Sequence, residues 1–362
     1  MYNLIASLII TIFLNFSFAQ DCDGDANSDL TVNVLDVVVI VSHVLEENQL
    51  IDDAFDNADY NDDSVVDVLD IVAIVNLILI GESECEESNL PLDLSLAWET
   101  EDDLSYFDNE SLQNIMIELD NLSSLYGIVI IHRGKIIEEE YYGSGGIDVE
   151  YNIFSVTKSY IATLIGQAID LEYIPNNTDV TLNNLLNYDQ QHLSNITLKN
   201  VLTMSTGYSD LYGYPVWVQQ STENLVNMPY GSPNSFFYNN SACHLNSHIL
   251  YYATEQTPIE FAQENLFPYL GIENPSWLSG YNGINDGSAS LELTLREMVK
   301  LGQLYIQDGY SGDQMILSSE FIEEATTFQI DAGSGFGYGY LWWLPPSNEE
   351  VYMAIGYGGQ LI

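Results

Sequence analysis

The sequence predicts an α+β domain that follows a small all-helical module. Two strand-like runs flank Arg133-Gly134 between residues 126 and 142, which indicates a β-hairpin. A long apolar run that begins at residue 155 is typical of a helix. Nearer the N-terminus, VNVLDVVVIV at 32–41 returns as VDVLDIVAIV at 66–75, an internal repeat with an offset of 34 residues. The chain therefore contains two regions of different architecture.

The charge of the chain excludes several classes of partner. Of its 362 residues, 54 are Asp or Glu and 6 are Lys or Arg, so the formal net charge is −48. Nucleic acids and anionic membrane surfaces are bound through clustered cations, which six scattered ones cannot supply. Apolar residues make up 46% of the sequence, which indicates folded cores and not an acidic disordered tail. We expect a folded protein that binds neither nucleic acid nor anionic lipid.

The first 19 residues have the features of a secretory signal peptide. A mostly apolar run extends from Leu4 to Leu14, and Ser17-Phe18-Ala19 forms a small-x-small cleavage pattern before Gln20. The run is well short of the ~20 residues that span a bilayer, which disfavours the alternative of a membrane anchor. We expect the mature protein to be secreted, either extracellular or associated with the cell surface.

Each copy of the repeat begins with an acidic ladder that fits a 12-residue calcium loop. Such a loop supplies oxygen ligands from its positions 1, 3, 5, 7, 9 and 12. Counting from Asp25 and from Asp59, position 12 is Asp36 and Asp70, so one reading frame fits both copies. The other predicted ligands are Asn27, Asp29, Thr31 and Asn33 in the first loop and Asn61, Asp63, Val65 and Asp67 in the second.

The apolar residues after each loop predict a helix, over 37–45 and again over 71–79. Both runs are rich in Val and Ile, so two acid-capped strands are the alternative. The duplicated loop-helix arrangement, residues 21–84, resembles the type I dockerin module. The resemblance implies two structural calcium ions, folding coupled to metal binding, and a cohesin-type protein partner.

Two details of this module bear on the resemblance. Leu30 and Ser64 stand where the family usually has glycine, a difference that concerns calcium affinity more than the ligands. Dockerin ends lie close together, so the resemblance also makes a disulfide between Cys22 and Cys85 a hypothesis to test.

A serine and a lysine one helical turn apart are the first candidates for chemistry. Ser155 and Lys158 share a helical face at the start of the apolar helix in YNIFSVTKSYIATLI, residues 151–165. A serine hydroxyl becomes nucleophilic when a neighbouring base takes its proton, and a desolvated lysine amine can be that base. Taken alone, the spacing favours a chance pair, with Lys158 as a surface cation.

Further segments after Lys158 argue against a chance pair, because they follow one another in the order of a known family. They are LSNITLKNVLTMSTGY at 193–208, FYNN at 237–240, INDGSASLELTLREMVKLGQLYIQDG at 284–309, GYGYLWWL at 337–344 and AIGYGGQ at 354–360. With these segments, residues 95–362 resemble the serine β-lactamase-like hydrolases. That superfamily includes class C β-lactamases, penicillin-binding proteins, esterases and 6-aminohexanoate-dimer hydrolases. The resemblance implies an antiparallel sheet with flanking helices and a helical subdomain, and no cofactor for catalysis.

The resemblance also implies a role for each site residue. Ser155 would be the acylated nucleophile and Lys158 its base. Tyr238 would relay the proton to and from the leaving group, while Asn240 would hold Lys158 and the substrate. The third family motif falls on Tyr357, Gly358 and Gly359, and it would line the site from a strand. The backbone N–H groups of Gln360 and Ser155 would form the oxyanion hole.

The third motif departs from the family pattern at its first position. A Lys or His there normally receives the carboxylate of a β-lactam or a peptide, which Tyr357 cannot do. The large negative charge of the chain also repels anions. We therefore expect a neutral ester or amide substrate, cleaved by a carboxylesterase or amidase type of serine hydrolase. The alternatives are a true β-lactamase or peptidase, and a catalytically inactive binding or scaffold protein of the same fold.

Several further expectations concern residues outside these motifs. His244 and His248 lack the acidic residue of H-E-x-x-H, which favours a packed pair over a zinc site. Cys243 is expected to be a small buried hydrophobe. An acidic linker is predicted over 85–94. Because the chain stops at Ile362, just past the third motif, we expect it to be a fragment of a longer product.

Overall fold

The computed structural model describes residues 8–13, 24, 26–27, 32, 34–45, 50, 52–60, 65–80, 91–101, 116–117, 119, 125–132, 134–346 and 351–362. The chain divides into two compact units. Residues 16–90 form one, called here the repeat unit. Residues 1–15 and 91–362 form the other, called the main unit.

The repeat unit consists of helices in its described part. They are α1 Val34–Val44, α2 Asp52–Ala58 and α3 Val68–Ile80. Helices α1 and α3 pack together, and Ile40 and Ile74, which correspond in the two repeats, are both fully buried. The predicted helices are confirmed and the strand alternative is wrong. Each helix begins three residues earlier than predicted, because the acidic residue that ends each loop fits the first helical turn.

Strands of the main unit are short except for the first three. They are β1 Leu8–Phe13, β2 Leu125–His132, β3 Lys135–Tyr141, β4 Tyr151–Asn152, β5 Glu292–Leu293, β6 Tyr310–Ser311, β7 Gln314–Met315, β8 Ile330–Gly333, β9 Phe336–Tyr338 and β10 Trp343–Leu344. Strands β2 and β3 pair antiparallel, with His132 opposite Lys135, so the predicted hairpin is confirmed. Strands β8, β9 and β10 form a second antiparallel sheet.

One strand pair departs from the expected antiparallel sheet. Strand β1 pairs with β2 in parallel, with Ile12 opposite Ile130. Strand β1 comes from the segment predicted to be a signal peptide, and its Leu- and Ile-rich sequence is typical of a strand. Cleavage after Ala19 stays a prediction.

Helices surround a core that α4 crosses. They are α4 Thr157–Asp170, α5 Leu182–Leu186, α6 Leu198–Leu202, α7 Thr222–Val226, α8 Asn240–Cys243, α9 Leu245–Thr254, α10 Pro258–Asn265, α11 Phe267–Leu270, α12 Leu295–Ile306 and α13 Ser319–Thr326. The 3₁₀ turns are Phe154–Val156, Gln191–Asn195, Val216–Gln219 and Tyr281–Gly283. Every residue of α4 from Thr157 to Ile169 is buried, so this helix carries Lys158 into the interior.

The end of the predicted linker, from Pro91 onward, groups with the main unit. Leu94 is fully buried, and its N–H donates to Ser311 Oγ at 2.8 Å. The Leu94 carbonyl accepts from Lys300 Nζ at 2.7 Å. An apolar side chain and two hydrogen bonds therefore attach this segment to the domain.

Among the described residues, no helix has the length and apolar character needed to cross a bilayer.

Candidate active site

Ser155 lies in a strained turn directly before α4. Phe154, the preceding residue, has a φ of 45°, a left-handed conformation that side chains other than glycine rarely adopt. Its N–H donates to Asn152 Oδ1 at 2.8 Å, which holds the turn in place. Ser155 is half-buried at the N-terminal end of a 14-residue helix. The strained turn therefore presents the serine hydroxyl next to backbone N–H groups that favour negative charge.

The amine of Lys158 is buried beside this hydroxyl. Its Nζ lies 2.8 Å from Ser155 Oγ, 2.8 Å from Asn240 Oδ1 and 2.6 Å from the Ser288 carbonyl oxygen. The lysine is 1% exposed, so the surface-cation alternative is wrong. An ammonium group has three donors for these three acceptors. Once it is a free amine, its lone pair is available for the proton of Ser155.

Tyr238 closes the site on another side. The Lys158 Nζ lies 5.0 Å from the centroid of the Tyr238 ring. The same ring stacks on Trp343, with centroids 5.8 Å apart and planes 20° apart. Tyr238 is half-buried, so its ring is fixed while one side of the residue stays open to a substrate.

Hydrogen bonds from the preceding loop hold the Tyr-x-Asn segment. The Phe237 N–H donates to the Met204 carbonyl at 2.8 Å. Asn239 Nδ2 donates to the Tyr208 carbonyl at 2.9 Å, and its Oδ1 caps α8 by accepting from Ala242 N–H at 2.9 Å. The middle residue of the segment is therefore structural, and its neighbours on either side face the site.

The third motif forms a tight turn and not the expected strand. Gly359 has a φ of 88°, and the Gly358 N–H donates back to Gln360 Oε1 at 3.0 Å. The turn adjoins the serine segment, because the Tyr357 and Phe154 rings meet edge to face with centroids 6.2 Å apart. Tyr357 is 70% exposed.

The backbone near this turn fits an oxyanion hole. A Cβ on Gly356 would come within 2.7 Å of the Ile153 carbonyl oxygen, so the two segments approach closely. Within the described residues, the N–H groups of Ser155 and Gln360 donate no hydrogen bond. Both are therefore available to a substrate oxygen.

Sequence reasoning missed Ser288 as a site residue. Its carbonyl accepts from Lys158, and its Oγ donates to the Asn240 carbonyl at 2.6 Å. One residue thus connects the two sides of the site. The segment that contains Ser288 was among the family motifs. Its role could not be predicted, because a residue of any type can supply a backbone carbonyl.

His244 and His248 form the packed pair that the sequence favoured. Their ring centroids are 4.9 Å apart, and both residues are fully buried. His244 Nδ1 accepts from the Gly287 N–H at 3.1 Å, and His248 Nδ1 lies 2.8 Å from Thr222 Oγ1. Burial lowers the pKa of His248 to about 3 and that of His244 well below its usual range. The pair is therefore neutral at neutral pH. Cys243 is a buried free thiol, as predicted.

The predicted calcium loops of the repeat unit are only partly described. Asp25, Asp29, Thr31, Asn33, Asn61 and Asp63 lie outside the described residues, as do Cys22 and Cys85. Asp36 and Asp70, at position 12 of the two loops, are both fully buried. Asp36 Oδ1 accepts from Asn27 N–H at 3.1 Å, and Asp70 Oδ2 accepts from Asp67 N–H at 2.8 Å. Two buried carboxylates turned toward their own loops fit a calcium-ligand set.

Comparison with known proteins identifies the main unit. The family model described as Beta-lactamase matches residues 125–362, well over half of the sequence. The chain therefore belongs to the β-lactamase family, and its α+β fold is the serine β-lactamase-like fold that the motifs implied. The comparison with curated proteins gave no match.

Solved structures show the same fold at low sequence identity. A candidate 6-aminohexanoate-dimer hydrolase from Bacillus anthracis is 19% identical, with a TM-score of 0.59 over 75% of this chain and 80% of its own. A candidate β-lactamase from Bacteroides dorei is 18% identical, with a TM-score of 0.59 over 69% and 85%. The octameric penicillin-binding protein homologue from Pyrococcus abyssi is 18% identical, with a TM-score of 0.55 over 68% and 67%.

Proposed function

We propose that the main unit is a serine hydrolase that cleaves a neutral ester or amide through an acyl-enzyme on Ser155. The observation that carries the proposal is the buried Lys158 amine, 2.8 Å from Ser155 Oγ. Burying a lysine cation costs free energy unless a function or a paired charge offsets that cost. The burial of Lys158 is therefore an argument for a function at this position. Membership of the β-lactamase family supports the same chemistry.

The groups around Ser155 act one after another during the reaction. Lys158 takes the hydroxyl proton as Ser155 Oγ attacks the substrate carbonyl, and the N–H groups of Ser155 and Gln360 stabilise the resulting oxyanion. The proton passes through the Tyr238 hydroxyl to the leaving group, which departs as an alcohol or amine. Water then attacks the acyl-enzyme and gives up a proton to Lys158, which returns it to Ser155 Oγ as the bond between that oxygen and the acyl group breaks and the acid is released.

The surroundings of the site favour a neutral substrate with an apolar portion. Tyr357 stands where a cation would bind a substrate carboxylate, and it is 70% exposed beside the serine turn. Phe237, next to Tyr238, is 53% exposed. Exposed aromatic rings bind apolar groups and offer no charge to an anion. An ester or amide of an uncharged acid therefore suits this site best.

A fluorophosphonate probe tests the proposal directly. We expect it to label the wild-type chain on the peptide that contains Ser155, and to leave Ser155→Ala unlabelled. Ser194→Ala, a change at an exposed serine, is the matched control and should label normally. A wild-type chain that folds but stays unlabelled would support the alternative of an inactive binding or scaffold protein. Preference for a β-lactam chromogen over p-nitrophenyl esters would instead support the β-lactamase or peptidase alternative.

We further propose that the repeat unit is a dockerin-like module with two structural calcium ions and a cohesin-type partner. Its loops would hold the ions through the predicted oxygen ligands, with Asp36 and Asp70 closing the two sites. Each helix also exposes apolar side chains at matching repeat positions. Leu35 and Leu69 are 56% and 60% exposed, and Val38 and Val72 are 57% and 56% exposed. Two equivalent apolar stripes are a surface that a protein partner can cover.

Binding of a purified type I cohesin domain tests this second proposal. Calorimetry should detect calcium-dependent binding to the wild-type chain and none to the double variant Leu35→Asp with Leu69→Asp. Leu96→Asp, at an exposed leucine of the main unit, is the matched control and should bind as the wild type does. Binding that survives the double variant would exclude these stripes as the interface.

We propose secretion as the route that brings the chain to its substrate and partner. The apolar run and cleavage pattern at residues 1–19 support it. Sequencing of the mature N-terminus should find Gln20 first, and a mature chain that begins at Met1 would contradict it.

A further inference from the structure

The proposed chemistry leaves one buried charged group near the site unexplained. Asp286 is fully inaccessible to solvent. Its Oδ1 accepts from Trp217 Nε1 at 2.8 Å and from Ser288 N–H at 2.9 Å. Its Oδ2 accepts from Ser290 Oγ at 3.3 Å. Indole and peptide N–H groups can only donate, so Oδ1 accepts two hydrogen bonds that stabilise the carboxylate form.

Asp286 is connected to Lys158 through a single residue. The Ser288 N–H donates to the carboxylate of Asp286, and the carbonyl of Ser288 accepts from Lys158 Nζ at 2.6 Å. The carboxylate therefore fixes the residue that holds the amine. Ser290, which also donates to Asp286, has a φ of 75°, so this segment adopts a backbone that needs such support.

Asp286 also provides the negative charge that the amine lacks among its direct contacts. The three atoms that accept from Lys158 belong to Ser155, Asn240 and Ser288, and all are uncharged. A buried cation without a compensating charge is unfavourable. Burial raises the pKa of Asp286, while hydrogen bonds from Trp217 and Ser288 and the charge of Lys158 oppose the rise.

Among the described residues, the other titratable groups that interact with this pair include a thiol and two phenols. The Tyr238 ring faces Lys158, and the buried Cys243 thiol interacts with both Lys158 and Asp286. Burial raises the pKa of Cys243, which keeps it a thiol. Burial raises the phenol pKa of Tyr214, and the charge of Asp286 adds to the rise.

We infer that Asp286 is a positioning residue, which holds the Ser288 carbonyl on Lys158 and stabilises the ammonium form of that lysine during acyl transfer. The inference rests on the proposed function. Without the carboxylate, the free amine persists to lower pH, while the ammonium formed during the reaction is less stable. Two effects follow together: the acidic limb of the rate profile moves to lower pH, and the plateau rate falls.

The pH dependence of labelling by a fluorophosphonate tests the inference. We expect Asp286→Asn to move the acidic limb down by about one pH unit and to lower the plateau rate about tenfold. The concentration of probe at half-maximal rate should stay the same, because Asp286 does not touch the substrate. Asp170→Asn is the matched control: it removes a carboxylate that accepts a backbone N–H, from Ser318, at the far end of α4. It should reproduce the wild-type profile.

The outcomes separate the two proposals. If the fluorophosphonate does not label the wild-type chain, the proposed function is wrong. If the wild-type chain is labelled but the acidic limb of the pH–rate profile does not move in Asp286→Asn, the inference is wrong. The proposed function is then unaffected. Asp286→Ser is the second variant, in case the first does not fold. Loss of the near-ultraviolet circular dichroism in both variants would assign Asp286 a purely structural role and overturn the inference.

Discussion

The face of the Tyr238 ring, and not its hydroxyl, is what meets Lys158, with Nζ 5.0 Å from the ring centroid. A cation over an aromatic face gains roughly 0.5–2 kcal/mol, so the ring helps to hold the amine whatever the hydroxyl does. The two parts of one side chain thus have separable roles. The ring positions Lys158, and the hydroxyl is the group that can carry a proton to a leaving group.

Tyr238→Phe keeps the ring and removes the hydroxyl. We expect kcat/KM for an alkyl ester or an amide to fall by about 10²–10⁴-fold, since the leaving group then departs without general acid help. For a p-nitrophenyl ester, whose leaving group needs no proton, the loss should be below about tenfold. Steady-state kinetics on the two substrates measure the difference. Tyr230→Phe, at an exposed tyrosine, is the control, and equal losses on both substrates would contradict the relay role.

Lys158→Met keeps the length of the side chain and removes the amine. The change leaves Ser155 Oγ without its base, and we expect the rate of acylation by a fluorophosphonate to fall by about 10²–10⁴-fold. Lys199→Met, a change at a lysine remote from the serine, should leave the rate unchanged. A Lys158→Met protein that folds and labels at the wild-type rate would show that another group activates the serine.

Tyr357→Lys introduces a cation at the exposed first position of the third motif. We expect kcat/KM for an ester that carries a carboxylate to rise about two- to fivefold relative to its neutral analogue, the value of one solvent-exposed ion pair of ~0.5–1 kcal/mol. Tyr230→Lys adds the same charge at another exposed tyrosine and controls for general neutralisation of the acidic chain. If both variants gain equally, local recognition at Tyr357 is not the cause.

The sequence predicted the site where side-chain identity carries the chemistry. Ser155 and Lys158 were found from their spacing, Asn240 came from the family resemblance that the ordered motifs carry, and the structure brings the polar atoms of all three together. The Ser288 carbonyl could not be found in this way, because any residue offers a carbonyl. Asp286 was equally hidden among 54 acidic residues, since only burial distinguishes it from a solvated carboxylate.

For the fold, the sequence predicted the elements that follow local patterns and missed those that depend on distant contacts. The hairpin at 125–141 and helix α4 follow local patterns, and they are where the sequence put them. The pairing of β1 with β2 depends on contacts between residues more than 100 positions apart, which local patterns do not encode. The turn at Gly358 and Gly359 depends on a hydrogen bond from the Gly358 N–H to Gln360 Oε1, which selects one of the conformations that a Gly-Gly pair leaves open.

If the repeat unit holds the two calcium ions proposed for it, removing them with a chelator should unfold this unit. Asp36 and Asp70 are fully buried carboxylates at position 12 of the two loops, and a calcium ion bound there would offset part of the cost of burying their charge. We expect a chelator to lower the helical circular dichroism of an isolated 20–90 segment, with recovery on adding calcium but not magnesium. Asp36→Asn with Asp70→Asn should abolish the recovery. Helicity that does not respond to the chelator would contradict the calcium assignment.

The buried histidines should make the main unit labile to mild acid. Burial lowers the pKa of His248 from about 6.5 in the unfolded chain to about 3. The unfolded state therefore binds a proton that the folded state does not, so the stabilisation is complete above pH 6.5 and is lost as the pH falls toward 3. Between pH 7 and pH 5 this one group should cost about 2 kcal/mol of unfolding free energy.

Urea denaturation of wild type and His248→Gln at pH 7 and pH 5 measures this contribution. Carboxylates also protonate below pH 5, so the difference between the two proteins is the informative quantity. We expect His248→Gln to be the less stable protein at pH 7 and to lose about 2 kcal/mol less than wild type on acidification. His192→Gln, at a half-buried histidine, is the control and should follow the wild type. Equal losses in wild type and His248→Gln would mean that His248 binds its proton as readily in the folded chain as in the unfolded one.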